Sequence, residues 1–382
     1  MQKIVVYTFS NTLDNYGQVL QYLATQIFFE KLGYEASLLQ YEPLAESLWY
    51  RLKNKIWRLI HPCGLKDGSG ISQTTSSESL SEEEMRNAFF AKAKEITERK
   101  EKEHPRFFEK FRKKHFHYTL YHNLLNDPPD ADVYCVGSDQ SWSWCSNVNF
   151  LNFGKESVTR ISLAPSFGAY LPESEDAWQN LSNKLRRFDL VTVREHTGVE
   201  ICKQAGRDDA ILCPDPTMLL QSQDYEKYEE ETLPRKKDYL FLYLLGNPTD
   251  IDMVKVYEFA EQEQLDVIYV TSQGREDDYP QIPATIPQWL SYIRNAKYIM
   301  TNSFHGTAFS IIYHKKFLTF PLVWPFERMN DRIVTLLENH HIESRIFKGD
   351  YTEIQNDIDY CFSDEYLHGM RELIQKKIKK VI

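Results

Sequence analysis

Apolar residues recur along this chain in two rhythms. Short, nearly unbroken apolar runs fall at residues 3–9, 36–41, 131–136, 159–164, 190–193 and 210–213. Runs of that length read as strands of a parallel sheet covered on both faces. Between the first two, Val19, Leu20, Leu23, Ile27 and Phe28 recur at helical spacing, and the pattern stops at Gly33. The chain therefore opens as a βαβ unit. A second alternation starts at 239–245 and continues through a helix at 250–264, a strand at 267–270 and a helix at 287–295. It closes with strands at 298–301 and 317–321, and the tail at 364–382 is amphipathic.

Two stretches interrupt the alternation. In 43–127, Trp49, Leu52, Ile56 and Leu59 form a helical stripe, 66–81 is rich in Gly, Ser and Thr, and 82–111 is charged and helical. This reads as a helical insertion at the edge of the first domain. Its basic face beside Trp49, Tyr50 and Trp57 is also of the kind that touches a membrane surface. Residues 214–237, charged and proline-flanked, read as a linker. The predicted organisation is a first α/β domain over 1–213 with the insertion at 43–127, a linker at 214–237, a second α/β domain over 238–362, and a C-terminal helix at 363–382.

Four strands of the first domain end in loops carrying Gly, Ser, Asp, Arg or Pro: G-S-D-Q-S-W, P-S-F-G, R-E-H-T-G and P-D-P-T. Such loops in series mark the carboxyl edge of an open sheet, where ligands bind. In the second domain, T-N-S-F-H-G-T at 301–307 joins a strand to an apolar helix. Ser303 suits the N-cap, which places His305 and the N–H groups of Gly306 and Thr307 at the positive end of the helix. An anion fits there, and the histidine adds a titratable proton donor. A plain helix cap with a partly exposed histidine fits the same residues.

Composition narrows the partners. A length of 382 residues suits two domains at roughly 150 residues each. The net charge of −10 argues against nucleic acid as a bulk partner. The 23 tyrosines and 22 phenylalanines serve either cores or sugar clefts. Six scattered cysteines without C-x-x-C spacing show neither a disulfide framework nor a zinc site, and no metal or cofactor is expected. The first residues enter a strand without a leader pattern, and no run approaches the ~18 apolar residues of a membrane span. A cytoplasmic setting is expected, with the insertion as the element to meet the inner membrane face.

The order of motifs resembles the polysaccharide pyruvyl transferase family. The matching pieces are N-Y-G-Q-V-L-Q-Y-L-A at 15–24, V-G-S-D-Q-S-W at 136–142, I-S-L-A-P-S-F-G at 161–168 and V-R-E-H-T-G at 193–198. D-P-T at 215–217, T-N-S-F-H-G-T at 301–307 and N-D-R-I-V-T-L-L at 330–337 complete them. The resemblance implies two Rossmann-like domains facing a cleft, as in GT-B glycosyltransferases. It also implies transfer of a group from phosphoenolpyruvate to a nucleotide- or lipid-linked sugar, giving a pyruvate ketal and phosphate.

Under that resemblance each candidate residue has a role and a structural alternative. Arg194 is the expected fork for the donor's carboxylate or phosphate; an ion pair with Asp215 or Glu195 is its alternative. Ser303, Phe304, His305, Gly306 and Thr307 would hold the donor, with His305 as general acid. Asp139 would take the proton of the acceptor hydroxyl, or be a turn aspartate. Asn15, Tyr16, Gly17, Gln18, Ser138, Asp139 and Gln140 would meet the acceptor sugar, with helix capping the alternative for the first of these. Trp142 and Trp144 read as packing. Asn302 stands where the family commonly has aspartate, which removes a carboxylate from beside the histidine. The rival functions are a GT-B glycosyltransferase using a nucleotide sugar and a carbohydrate-binding protein without catalysis.

Overall fold

The structure is a computed structural model that describes residues 1–9, 12–41, 82–121, 124, 127–143, 145–168, 170–230, 237–246 and 249–382. The Trp49–Leu59 stripe, the loop at 66–81 and Trp144 lie outside the described residues, as does part of the expected linker.

Two parallel sheets organise the chain. The first contains β1 (Lys3–Tyr7), β2 (Glu35–Tyr41), β3 (Tyr118–Tyr121), β4 (Val133–Val136) and β5 (Thr159–Ser162), in the order β3-β2-β1-β4-β5. Ile4 pairs with Ala36 on one side and Val133 on the other, so β1 is central and buried. β6 (Thr192–Val193) and β7 (Ile211–Leu212) pair in a small parallel sheet, joined to the main one by a bridge between Ile161 and Leu190. The second lobe contains β8 (Tyr239–Tyr243), β9 (Asp266–Tyr269), β10 (Tyr298–Thr301) and β11 (Lys316–Thr319), in the order β11-β10-β8-β9. Each sheet reverses direction of winding, at β1/β4 and at β8/β10, and such switch points open a crevice at the strands' carboxyl ends. Both crevices face the same cleft. The architecture is two Rossmann-like lobes in a GT-B-like arrangement.

The insertion differs from its expected form in two ways. The charged stretch is two helices, Glu82–Glu103 and Phe108–His115, not one. Pro105 breaks it, since it lacks an N–H and clashes with the preceding turn, and Phe107 turns left-handed at φ 58°. The end of the stretch then supplies β3, which pairs with β2 in parallel at Leu38 to Tyr118. Y-T-L-Y has the aromatic and β-branched composition of a strand, but it is short and lies past the charged helical stretch at 82–111, where the pattern assigns no element.

The lobes share a core. The helix Tyr16–Lys31 is buried on almost every side, and its apolar cluster continues into Phe241, Trp289 and Phe309 of the second lobe. Tyr16 stands at the joint. Its ring stacks on Trp289 at 5.4 Å and meets Phe108 edge-on at 4.8 Å, while its hydroxyl donates to the Ala284 carbonyl at 2.6 Å. The C-terminal helix Cys361–Val381 crosses back: Ile374 and Ile378 are fully buried, and Arg371 donates to the carbonyls of Met218 and Leu220.

The helix Glu82–Glu103 fastens one lobe to the other. Thr97 bonds Asp14 beside the first helix, while Arg99 pairs with Glu276 and Lys100 donates to the Arg275 carbonyl and to Gln281. Ala93 lies against Gly274, where a Cβ would come within 2.6 Å of its own at a φ of +65°. Gly274→Ala therefore meets both an unfavourable backbone region and a steric overlap. It is expected to destabilise the fold by about 1–3 kcal/mol and to lower amide protection of that helix first. Thermal melting with hydrogen exchange measures both.

Candidate active site

Strand ends from both lobes deliver polar side chains to one place. From the first lobe, the turn after β4 carries Ser138, Asp139 and Gln140, the residue after β6 is Arg194, and the loop after β7 carries Asp215. From the second, the turn after β10 leads into the helix Phe304–Ile312. Ser303 caps that helix as its sequence predicts, its Oγ accepting from the Gly306 N–H at 3.3 Å. The Thr307 N–H is also engaged, by the Ser303 carbonyl at 3.0 Å. The helix end thus presents the N–H groups of Phe304 and His305, not those of Gly306 and Thr307 as expected.

Asp215 is the centre of the constellation, and it is completely buried. One oxygen, Oδ2, accepts from Arg194 Nη1 at 2.9 Å and from Ser138 Oγ at 2.7 Å. The same oxygen lies 3.5 Å from His305 Nε2, an ion-pair separation without hydrogen-bond geometry. The other, Oδ1, accepts from the Thr217 N–H at 3.0 Å and its hydroxyl at 2.8 Å. Burial alone would raise the Asp215 carboxyl, but His305, Arg194 and Ser138 outweigh it and hold the group well below the usual carboxylate range.

Arg194 takes the alternative its sequence left open. It pairs with Asp215, approaches Asp139 at 3.8 Å and lies over the Phe304 ring at 4.4 Å. Neighbouring Glu195 turns away and accepts from the Phe167 N–H at 2.8 Å; burial, against the pull of Arg194, raises its carboxyl. Arg194 sits one layer behind the cleft wall, beneath Phe304.

The cleft between the lobes encloses about 300 Å³ and is lined by Asn15, Gln18, Asp139, Gln140, Ser303, Phe304, His305 and Arg332, among others. Asp139 holds a left-handed backbone, φ 68°, which aims its carboxylate into this space, and aspartate tolerates the conformation better than most residues. Three of the expected acceptor residues stand elsewhere. Tyr16 is in the interlobe core, and Ser138 is buried against Asp215 and the Ala164 carbonyl. Gly17 lies under His305: a Cβ there would overlap the imidazole, so the residue's role is to admit the histidine. Asn15 fills both readings, capping the first helix through Gln18 N–H at 3.2 Å and donating across the lobes to Gln273 Oε1 at 3.3 Å. Trp142 packs on Phe150 as expected.

Asn302 is structural. Its amide accepts from the Leu245 N–H at 2.6 Å and donates to the Leu245 carbonyl at 3.1 Å, locking the ends of β8 and β10 together. The carboxylate beside the imidazole comes from Asp215 in the other lobe.

Sequence reasoning gave no role to Arg332. It belongs to the N-D-R-I-V-T-L-L run and lies on the helix Asp331–Asn339. It is buried, lines the cleft and has no carboxylate partner among the described residues; its Nε donates to the Met329 carbonyl at 3.3 Å. Burial, then the repulsion of Arg194, push its guanidinium down to about 10, against the weaker opposing pull of the Asp139, Glu195 and Asp331 carboxylates. A buried cation without a close ion pair is costly, and perturbed groups of this kind cluster at functional sites. The available signal was a lone arginine within an otherwise helical apolar pattern.

Residues 15–322 match the family model for polysaccharide pyruvyl transferase, and the chain belongs to that family. No curated protein matches the chain. Among solved structures, it is similar to a UDP-GlcNAc 2-epimerase from Neisseria meningitidis bound to UDP-GlcNAc, at 10% identity, 100% coverage of both chains and a TM-score of 0.44. A UDP-GlcNAc 2-epimerase from Methanocaldococcus jannaschii, in complex with UDP-GlcNAc and UDP, gives 14% identity, 99% coverage of both and a TM-score of 0.46. Spinosyn rhamnosyltransferase gives 11% identity, 100% and 96% coverage and a TM-score of 0.40. Among the described residues no helix is long and apolar enough to cross a membrane. The five described cysteines are free.

Asp215→Asn removes the charge that Arg194 is buried against. It is expected to cost about 3–5 kcal/mol at neutral pH, as for one partner lost from a buried pair. The pH dependence has a definite sign. Because the folded carboxyl is depressed, its stabilisation is present above the unfolded value of about 4 and is lost as pH falls through the folded one. The substitution should therefore also flatten the acid limb of stability, measured by urea unfolding between about pH 1 and 5.

Proposed function

We propose that this protein transfers the enolpyruvyl carbons of phosphoenolpyruvate to two hydroxyls of one sugar, forming a pyruvate ketal and releasing phosphate. The observation that carries this reading is the buried Arg332 guanidinium, which has no ion pair among the described residues and lines one cleft with His305 and Asp139. A small dianion needs fixed positive charge, and a ketal needs both a proton donor and a proton acceptor.

In this reading the donor's phosphate or carboxylate lies between Arg332 and the N-terminus of the helix Phe304–Ile312. Arg194 acts from behind: it fixes Asp215, and Asp215 fixes the imidazole of His305. His305 delivers a proton to the methylene carbon, which leaves an oxocarbenium-like centre at the adjacent carbon. The first sugar hydroxyl adds there, and Asp139 takes its proton. Cleavage of the C–O bond to phosphate regenerates the electrophile, and the second hydroxyl closes the ketal. Two hydroxyl protons leave; one replaces the proton spent on the methylene carbon and the other departs with phosphate. No step asks for a metal or redox cofactor. The acceptor is a nucleotide- or lipid-linked sugar in a surface polysaccharide pathway, and the setting is the cytoplasmic face of the membrane.

Phosphate release from phosphoenolpyruvate with a panel of nucleotide- and lipid-linked sugars tests the reading. His305→Ala is expected to lower kcat by at least about 10²-fold, the lower range for general acid–base catalysis, in protein that stays folded by circular dichroism although the loss of a neighbour to Asp215 lowers its melting temperature. Near-normal turnover would remove the acid assignment. Arg332→Lys keeps the charge but not the planar fork, so the KM for phosphoenolpyruvate should rise about tenfold or more while the KM for the sugar stays put. Equal change in both would place Arg332 outside the donor site.

A further inference from the structure

The polar lining of the cleft is of two kinds. Arg332, His305 and Asp139 are charged or titratable. Apart from the capping Ser303, the remaining polar lining is amide: Asn15, Gln18, Gln140, Gln273 and the strand-locking Asn302. Uncharged amides offer both donors and acceptors, which suits hydroxyl groups better than phosphate. Beside them stands Phe90, a phenylalanine half exposed within the cleft.

Phe90 comes from the helix Glu82–Glu103, outside the motifs that carry the family resemblance. Its ring is held by two edge contacts, to Phe89 at 5.5 Å and to Phe326 of the second lobe at 5.9 Å. Phe89 in turn packs against Phe326 at 5.0 Å. The helix beneath is tied to the second lobe through Arg99, Lys100 and Ala93. Phe90 is therefore a fixed ring, and about half its surface remains open. Gln273 is fixed as well, since its Oε1 receives Asn15 from the opposite lobe.

We propose that Phe90 and Gln273 form an acceptor subsite for a single pyranose ring, with Phe90 as the stacking platform and Gln273, with Asn15, as the hydroxyl-reading amide pair. This rests on the transferase reading above and names residues that reading does not use. A sugar ring is apolar on its C–H face and polar at its rim, and a rigid aromatic beside an amide pair matches both at low entropic cost. The helical insertion is then a wall of the acceptor site.

Two measurements separate this subsite from the reaction itself. In saturation-transfer NMR, methyl glycosides of galactose, mannose, glucose and N-acetylglucosamine are offered to the full chain without phosphoenolpyruvate. The wild type should show transfer to the ring protons of at least one glycoside, Phe90→Ala should lose it, and Phe90→Trp should restore it. In turnover, Phe90→Ala should raise the KM for the sugar acceptor about tenfold, or ~1.4 kcal/mol, with the KM for phosphoenolpyruvate unchanged. Phe90 is half exposed, so the alanine variant keeps its fold, and an unchanged melting temperature confirms that. Absence of transfer to every glycoside in the wild type overturns the subsite, and equal transfer in Phe90→Ala overturns the platform. Glycoside binding that depends on Phe90, without phosphate release from phosphoenolpyruvate for any acceptor, would keep the subsite and overturn the transferase.

Discussion

The arrangement depends on one buried negative charge. Asp215 has no solvent, and a carboxylate without solvent is tolerated only when every lone pair is engaged and a cation is close. Thr217, Ser138 and Arg194 meet the first condition; Arg194 and His305 meet the second. These partners come from the ends of different strands and from both lobes. The charge therefore fixes the ends of β4, β6 and β7 relative to the turn after β10. Any rotation of one lobe against the other would separate His305 from Asp215 and leave a worse-compensated ion in the interior. The functional geometry and the electrostatic stability of the joint are the same set of contacts.

The apolar side of the joint works in parallel. Tyr16 is enclosed by aromatics from both lobes, and its hydroxyl reaches the Ala284 carbonyl in the second. Full burial of one such side chain is worth about 1.5–3 kcal/mol, and the C-terminal helix adds Ile374 and Ile378. With the helix Glu82–Glu103 spanning the same gap, the lobes are held by three elements on different sides. The interface resembles a domain core more than a loose hinge.

Much of this was legible in the sequence because strands of a buried parallel sheet leave unbroken apolar runs. β1, β2, β4, β8 and β10 stand where those runs fall, and the cap at Ser303 followed from residue type alone. β3 was not legible: four residues behind a basic helix carry too little pattern to separate from it. At the site, His305, Asp139, Asn15, Gln18 and Gln140 reach the cleft, since each follows a strand end. Tyr16 and Ser138 follow strand ends too, yet face inward. Strand position fixes which edge a residue occupies but not which layer. Arg332 was in plain view in a matched motif, and what sets it apart is burial without a close ion pair, which is a fact about neighbours in space. Phe90 belongs to the same class, because nothing local says that a charged helix reaches across to the other lobe.

The close approach at Gly17 has one more consequence. The volume a side chain would fill at that position belongs to the imidazole of a residue almost three hundred positions later in the chain. Neither lobe, folded by itself, contains the finished site: the first holds an empty notch and the second an unsupported histidine. Competence is thus a property of docking, acquired last when the chain assembles and lost first when the lobes part. A nick or truncation that leaves both sheets intact but undocks them would yield a protein with native secondary structure and no working site.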